Sequence, residues 1–100
     1  MAVLNKHKDV IPKDAVFIGR PSIWGNPFVI GKHGDRDQVI VAYATWLKRQ
    51  LINEMISLEQ LAQLHGKDLV CFCAPQRCHG DFLTRIAAWA HGQPSEEPQP

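Results

Sequence analysis

The sequence predicts a small α/β domain, with a sheet of about three strands packed against about three helices. Three observations carry that prediction. "DLVCFC" (68–73) is apolar on both faces, as an interior strand must be. Two stretches begin with a side-chain box that starts a helix and continue with apolar residues at helical spacing. The elements then follow one another as strand, strand, helix, helix, strand, helix, an order that calls for helices layered on a short sheet.

In chain order, residues 2–14 are mixed in character and form a lead-in, with a short strand around Ala2 to Leu4. "AVFIGR" (15–20) is an apolar run stopped by Gly19 and Pro21, which suits a buried strand. "RPSIWGNPF" (20–28) holds two prolines and a glycine and must be an ordered loop. "PFVIG" (27–31) reads as a further strand, hairpin-paired with 15–20. Asp35 and Gln38 form a capping box, and Val39, Ile40, Tyr43, Ala44, Leu47 and Leu51 recur on one helical face, which predicts a helix over 36–52. Ser57 and Gln60 repeat the box ahead of a shorter helix, 58–65, that Gly66 stops. The last helix is expected to start near Asp81, to turn Phe82, Leu83, Ile86 and Trp89 inward, and to end at Gly92. Residues 1–92 thus form one domain, and the polar, proline-rich "QPSEEPQP" (93–100) is expected to be disordered.

Composition narrows the function classes. The hydrophobic share of 45% is enough for a core without disulfide staples. Eleven basic against ten acidic residues leave a net charge of +1, which is no footprint for non-specific duplex binding. No segment reaches the length of an apolar membrane span, so a cytoplasmic location without membrane attachment is expected. Three cysteines cannot form a closed disulfide framework.

All three cysteines fall in "VCFCAPQRCHGD" (70–81). Cys71 and Cys73 point to one face of the predicted strand, and Cys78 and His79 follow at the entrance to the last helix. The end of a strand leading into a helix N-terminus is where open α/β sheets bind ligands. Three readings compete. Cys71, Cys73, Cys78 and His79 have the number and type for a tetrahedral zinc site, although their spacing is not that of a zinc knuckle. Alternatively, Cys78 beside His79 is a reactive thiol, with Asp81 capping the helix or carrying a proton, so that Cys78, His79 and Asp81 are the catalytic candidates. Thirdly, the cysteines are simply core residues, as buried thiols commonly are. Gly80 would let a ligand approach the backbone closely.

"GRPSIWGNPF" is the second constellation. Arg20 can grip a phosphate or carboxylate in a fork. Trp24 can stack on a flat group, and Asn26 can pair with an amide-like edge. Ser22 completes the candidate ligand set of Arg20, Ser22, Trp24, Asn26 and Gly80. Against this, Trp24 can equally plug the core, and Asn26 can close a turn through its own backbone.

Together, "FIGRPSIWGNPFVIG" and "GKDLVCFCAPQRCHGDFL" closely resemble the DUF4326 family, small domains of bacteria and their phages whose function is unknown. The resemblance spans about residues 15–90 and rests on Arg20, Trp24, Gly25, Asn26, Pro27 and Phe28 in the first motif. Cys71, Cys73, Pro75, Cys78, His79 and Gly80 carry the second. A looser resemblance to DUF488-type domains, where a strand ends in Cys-x-Glu ahead of a Cys-His-Arg helix start, weakens the zinc reading. The family resemblance implies that both motifs belong to one site, and it brings no reaction. The expectation is therefore a domain that binds, and could process, a nucleotide-like or other small anionic ligand. The alternative is a zinc-stabilised module acting on a protein or nucleic-acid partner.

Overall fold

The computed structural model describes residues 3–20, 22–72, 76 and 78–92. Cys73 and the 93–100 tail lie outside them. The described residues form three strands, β1 (Val3–Asn5), β2 (Val16–Phe17) and β3 (Leu69–Cys71), and three helices, α1 (Arg36–Ile52), α2 (Leu58–Ala62) and α3 (His79–Ala90). The strands make one parallel sheet in the order β1-β3-β2. The α/β class is as the sequence indicates, and β3 is the fully buried central strand that its two-sided apolar run requires.

The helices begin where their boxes place them. Asp35 Oδ1 accepts the Gln38 amide at 2.9 Å while Gln38 Oε1 accepts the Asp35 amide at 2.8 Å, satisfying two amides that α1 would otherwise leave open. Ser57 and Gln60 do the same for α2. The regular part of α2 ends at Ala62, short of the expected 65, and turns lead on to Gly66 at φ +85°. Helix α3 buries Phe82, Leu83 and Ile86 completely, each worth roughly 1.5–3 kcal/mol. It packs with Leu61, Leu64, Tyr43 and Leu47 in one core.

Two expectations need correction. Residues 27–31 are not a strand, and no hairpin partners β2. The amides such a hairpin would use are spent locally, since Phe28 donates to Asn26 Oδ1 at 2.9 Å and Val29 to His33 Nδ1 at 2.9 Å. The remaining strand is β1 in the lead-in, at 3–5. It is clasped to β3 by the buried Asn5, whose side-chain Nδ2 donates to the Phe72 carbonyl at 3.1 Å. Helix α3 also starts earlier than expected, with Cys78 rather than Asp81 as its cap. Asp81 is the third residue of the box, and its carboxylate accepts the Cys78 amide at 3.0 Å.

Candidate functional site

Because every strand in the sheet is parallel, their carboxyl ends share one edge, and the two sequence motifs leave the sheet there. A cavity of about 380 Å³ opens at that edge, within the roughly 300–1,000 Å³ range of small-molecule sites. Gly19 and Arg20, following β2, form one side, and Asn26, Phe28, Val29 and Ile30 continue it. The first turns of α1 supply Arg36, Val39 and Ile40. Cys71 and Phe72 at the end of β3, with Cys78 and His79 at the start of α3, close the other side. Segments some fifty residues apart in the chain thus line one hollow.

The loop that presents Arg20 is wound tightly. The Ser22 amide donates to the Gly19 carbonyl at 2.9 Å and the Gly25 amide to the Ser22 carbonyl at 3.0 Å. A side chain at Gly25 would meet the Arg20 backbone and Cγ at 3.1 Å. Arg20 itself is exposed and is among the residues that line the cavity.

The other sequence-derived residues of this loop are placed differently. Trp24 is 6% exposed and belongs to the core, where its carbonyl accepts the Tyr43 hydroxyl at 2.8 Å. It does not line the cavity, and neither does Ser22, whose Oγ is buried without a hydrogen-bond partner among the described residues. Asn26 does line it, but both ends of its amide are engaged, Oδ1 by the Phe28 amide and Nδ2 by the Val39 carbonyl at 3.2 Å. That amide binds the loop to α1.

The start of α3 is equally committed. His79 is buried, and Nε2 donates to the Ile18 carbonyl at 2.7 Å. Its ring meets Tyr43 edge-on, the centroids 4.9 Å apart. Burial holds the imidazole below its ordinary pKa. The Ile18 bond opposes that shift, the Arg20 charge adds to it, and Asp81 opposes it. His79 is therefore neutral near pH 7, with the proton on Nε2 and Nδ1 left as an acceptor. Tyr43 is pushed well above the usual phenol value, by burial first and then by Cys78, so it stays a hydroxyl donor.

At Gly80 the packing leaves no room for a side chain. A β-carbon there would lie 2.9 Å from Ile18 Cδ1 and 3.1 Å from Val3 Cγ1. Its amide donates to Cys78 Sγ at 3.3 Å, and the Asp81 amide donates to the Cys78 carbonyl at 3.1 Å. Both amides are thus used inside the helix cap. The Asp81 carboxylate serves the cap as well.

Of the four candidate zinc ligands, Cys71 and Cys78 come together, their sulfurs 3.5 Å apart. His79 directs Nε2 elsewhere, and Cys73 lies outside the described residues. Among the described residues, no three His, Cys, Asp or Glu side chains converge on a common point.

Sequence reasoning missed Arg36, Phe72 and the role of Tyr43. Arg36 donates through Nη2 to Gln76 Oε1 at 2.8 Å and so reaches from α1 across to the cysteine-bearing loop. A signal for it was present, because a cation directly after a helix cap faces the positive end of the helix dipole and asks for another reason to be there.

Residues 3–89 match the family described as "Domain of unknown function (DUF4326)". The chain belongs to that family. A relative from Enterobacteria phage T4, an uncharacterised 12.4 kDa protein in the nrdA-td intergenic region, is 34% identical over 85 residues. The match covers 84% of this chain and 74% of the phage protein. No solved structure matches the DUF4326 chain. No helix among its described residues is long and apolar enough to cross a membrane.

Proposed function

We propose that this DUF4326 domain binds a small anionic ligand with a flat, largely apolar portion, of which a nucleotide is the leading example. The observation that carries the reading is the composition of the cavity. Two arginines, Arg20 and Arg36, line a hollow walled by Phe28, Val29, Val39, Ile40 and Phe72, and none of its described lining residues is acidic. A guanidinium beside an apolar wall favours a phosphate or carboxylate in fork geometry. The aromatic and branched side chains offer contact to a ring. With Trp24 in the core, Phe28 and Phe72 take the stacking role the sequence suggested for the indole.

Titration calorimetry with a panel of nucleoside monophosphates, the parent nucleosides and inorganic phosphate tests this directly. At least one phosphorylated compound should bind better than its nucleoside, and Arg20→Ala should weaken it by about tenfold or more, the loss of roughly 1.5–3 kcal/mol expected for a charged hydrogen bond. A panel that shows no binding, or binding that Arg20→Ala leaves unchanged, overturns the reading.

The second reading, a zinc-stabilised module acting on a protein or nucleic-acid partner, is favoured by one distance. Two thiolates on a tetrahedral zinc, each about 2.3 Å from the metal, sit roughly 3.8 Å apart, close to the 3.5 Å between Cys71 and Cys78. His79 could serve such a site only through Nδ1, since Nε2 is bonded to the Ile18 carbonyl. Metal analysis of protein purified without chelator separates the two readings, with one equivalent of zinc per chain required by the second.

A further inference from the structure

The thiols of Cys71 and Cys78 stand 3.5 Å apart across the junction of β3 and α3, both almost fully buried and both lining the cavity. Ordinary packing of two small side chains does not require the sulfurs to face each other. Closing the remaining gap to the roughly 2.05 Å of a disulfide takes a movement of about 1.5 Å, which calls for rotation about the Cα–Cβ bonds and a shift of the helix cap. The cap is what would yield. Cys78 Sγ now accepts the Gly80 amide at 3.3 Å, and a bond to Cys71 would draw it off that donor. Both cysteines are almost fully buried and line the cavity, which offers small reagents a route to them.

We propose that Cys71 and Cys78 are a reversible redox pair, oxidised by hydrogen peroxide to an intramolecular disulfide in the cavity wall. Peroxide oxidises one thiol to a sulfenic acid and leaves as water. The second thiol attacks that sulfur, forming the S–S bond and expelling the hydroxyl as a second water. Two thiols and one peroxide give one disulfide and two waters, and a dithiol reductant reverses the change. This concerns the chain's own two sulfurs and stands or falls independently of what the cavity binds.

The test is peroxide treatment of the folded, chelator-treated protein, followed by alkylation, trypsin digestion without reduction, and mass spectrometry. Cleavage after Lys67, Arg77 and Arg85 separates "DLVCFCAPQR" from "CHGDFLTR", so a link to Cys78 appears as one joined peptide. We expect most chains to lose the mass of two hydrogens and to yield this joined peptide, with backbone fragmentation at Phe72 assigning the link to Cys71. The joined peptide should vanish on reduction, persist in Cys73→Ser, and be lost in Cys71→Ser. A link that maps to Cys73, or addition of oxygen atoms to the cysteines without a link, overturns the proposal. Because fragmentation assigns the link in the wild-type chain, the result does not depend on a serine variant folding.

Discussion

The two sides of the cavity are built from opposite materials. On the α3 side, Cys78, His79, Gly80 and Asp81 are bound into the helix cap and the sheet by hydrogen bonds of 2.7–3.3 Å, and the first three of these residues are buried. On the other side, Arg20 stands exposed at the end of a tightly wound loop. The side richest in reactive residue types is therefore the one most occupied with holding the molecule together. The side with plain loop composition carries the charge. Chemical reactivity in a residue's name says little about its role until its hydrogen bonds are counted, because a buried polar group must first be satisfied.

Substitutions can break or sharpen this contrast. The largest effect is expected for His79→Ala. It takes away the donor to the Ile18 carbonyl and leaves a void beside Tyr43, together about 3 kcal/mol of stability in chemical denaturation. A variant that unfolds at the wild-type denaturant midpoint would remove His79 from the framework and return it to the catalytic candidates.

Gly80→Ala comes next. The new methyl group would meet Ile18 and Val3, and forcing α3 off the sheet costs about 1–3 kcal/mol. The same change at Gly66, where nothing lies within 4 Å, is strained only through its φ of +85°. Comparing the two melting temperatures separates crowding from backbone conformation. Tyr43→Phe should cost about 1–2 kcal/mol, since the Trp24 carbonyl loses its buried donor while the ring still packs against His79.

These residues also show how far the sequence could be read. Element starts were legible because capping boxes are local: Asp35 with Gln38 and Ser57 with Gln60 need nothing beyond their own turn. The box at α3 escaped notice because its cap is a cysteine, and Asp81, the conventional capping type, sits three residues on. The strand expected at 27–31 failed for a non-local reason, as apolar spacing cannot reveal that His33 takes the Val29 amide. That the two motifs share one site was implied by the family resemblance, and the parallel sheet supplies the physical reason, since both leave it at the same edge. Which of their side chains face the cavity was not legible, because Trp24 and Ser22 are sorted by tertiary packing, and Arg36 enters from α1, outside both motifs.

Acid should expose the same framework without any mutation. His79 has a folded-state pKa below its ordinary value of about 6.5, so the unfolded chain binds the proton more readily than the folded one. Its contribution is fully present above pH 6.5 and is lost as pH falls from there toward the folded pKa. The charged groups bearing on the ring are Arg20 and Asp81, and Cys78 acts on the adjoining Tyr43. Denaturant midpoints measured between pH 7.5 and about 5 should decline, and His79→Gln should flatten the decline in the part of that range above the carboxylate pKa values.

The smallest stability effect is expected at Arg20. An exposed side chain at the mouth of a cavity contributes within about 0.5 kcal/mol, so Arg20→Ala should melt with the parent. Arg36→Ala should fall slightly lower, because it also releases Gln76 from α1. If Arg20→Ala instead unfolds like His79→Ala, the two sides of the cavity are made of the same material and the charge at its mouth serves the fold. If it melts unchanged, the chain keeps an arginine at the edge of an apolar hollow for no reason of stability, and a bound anion is the simplest reason left.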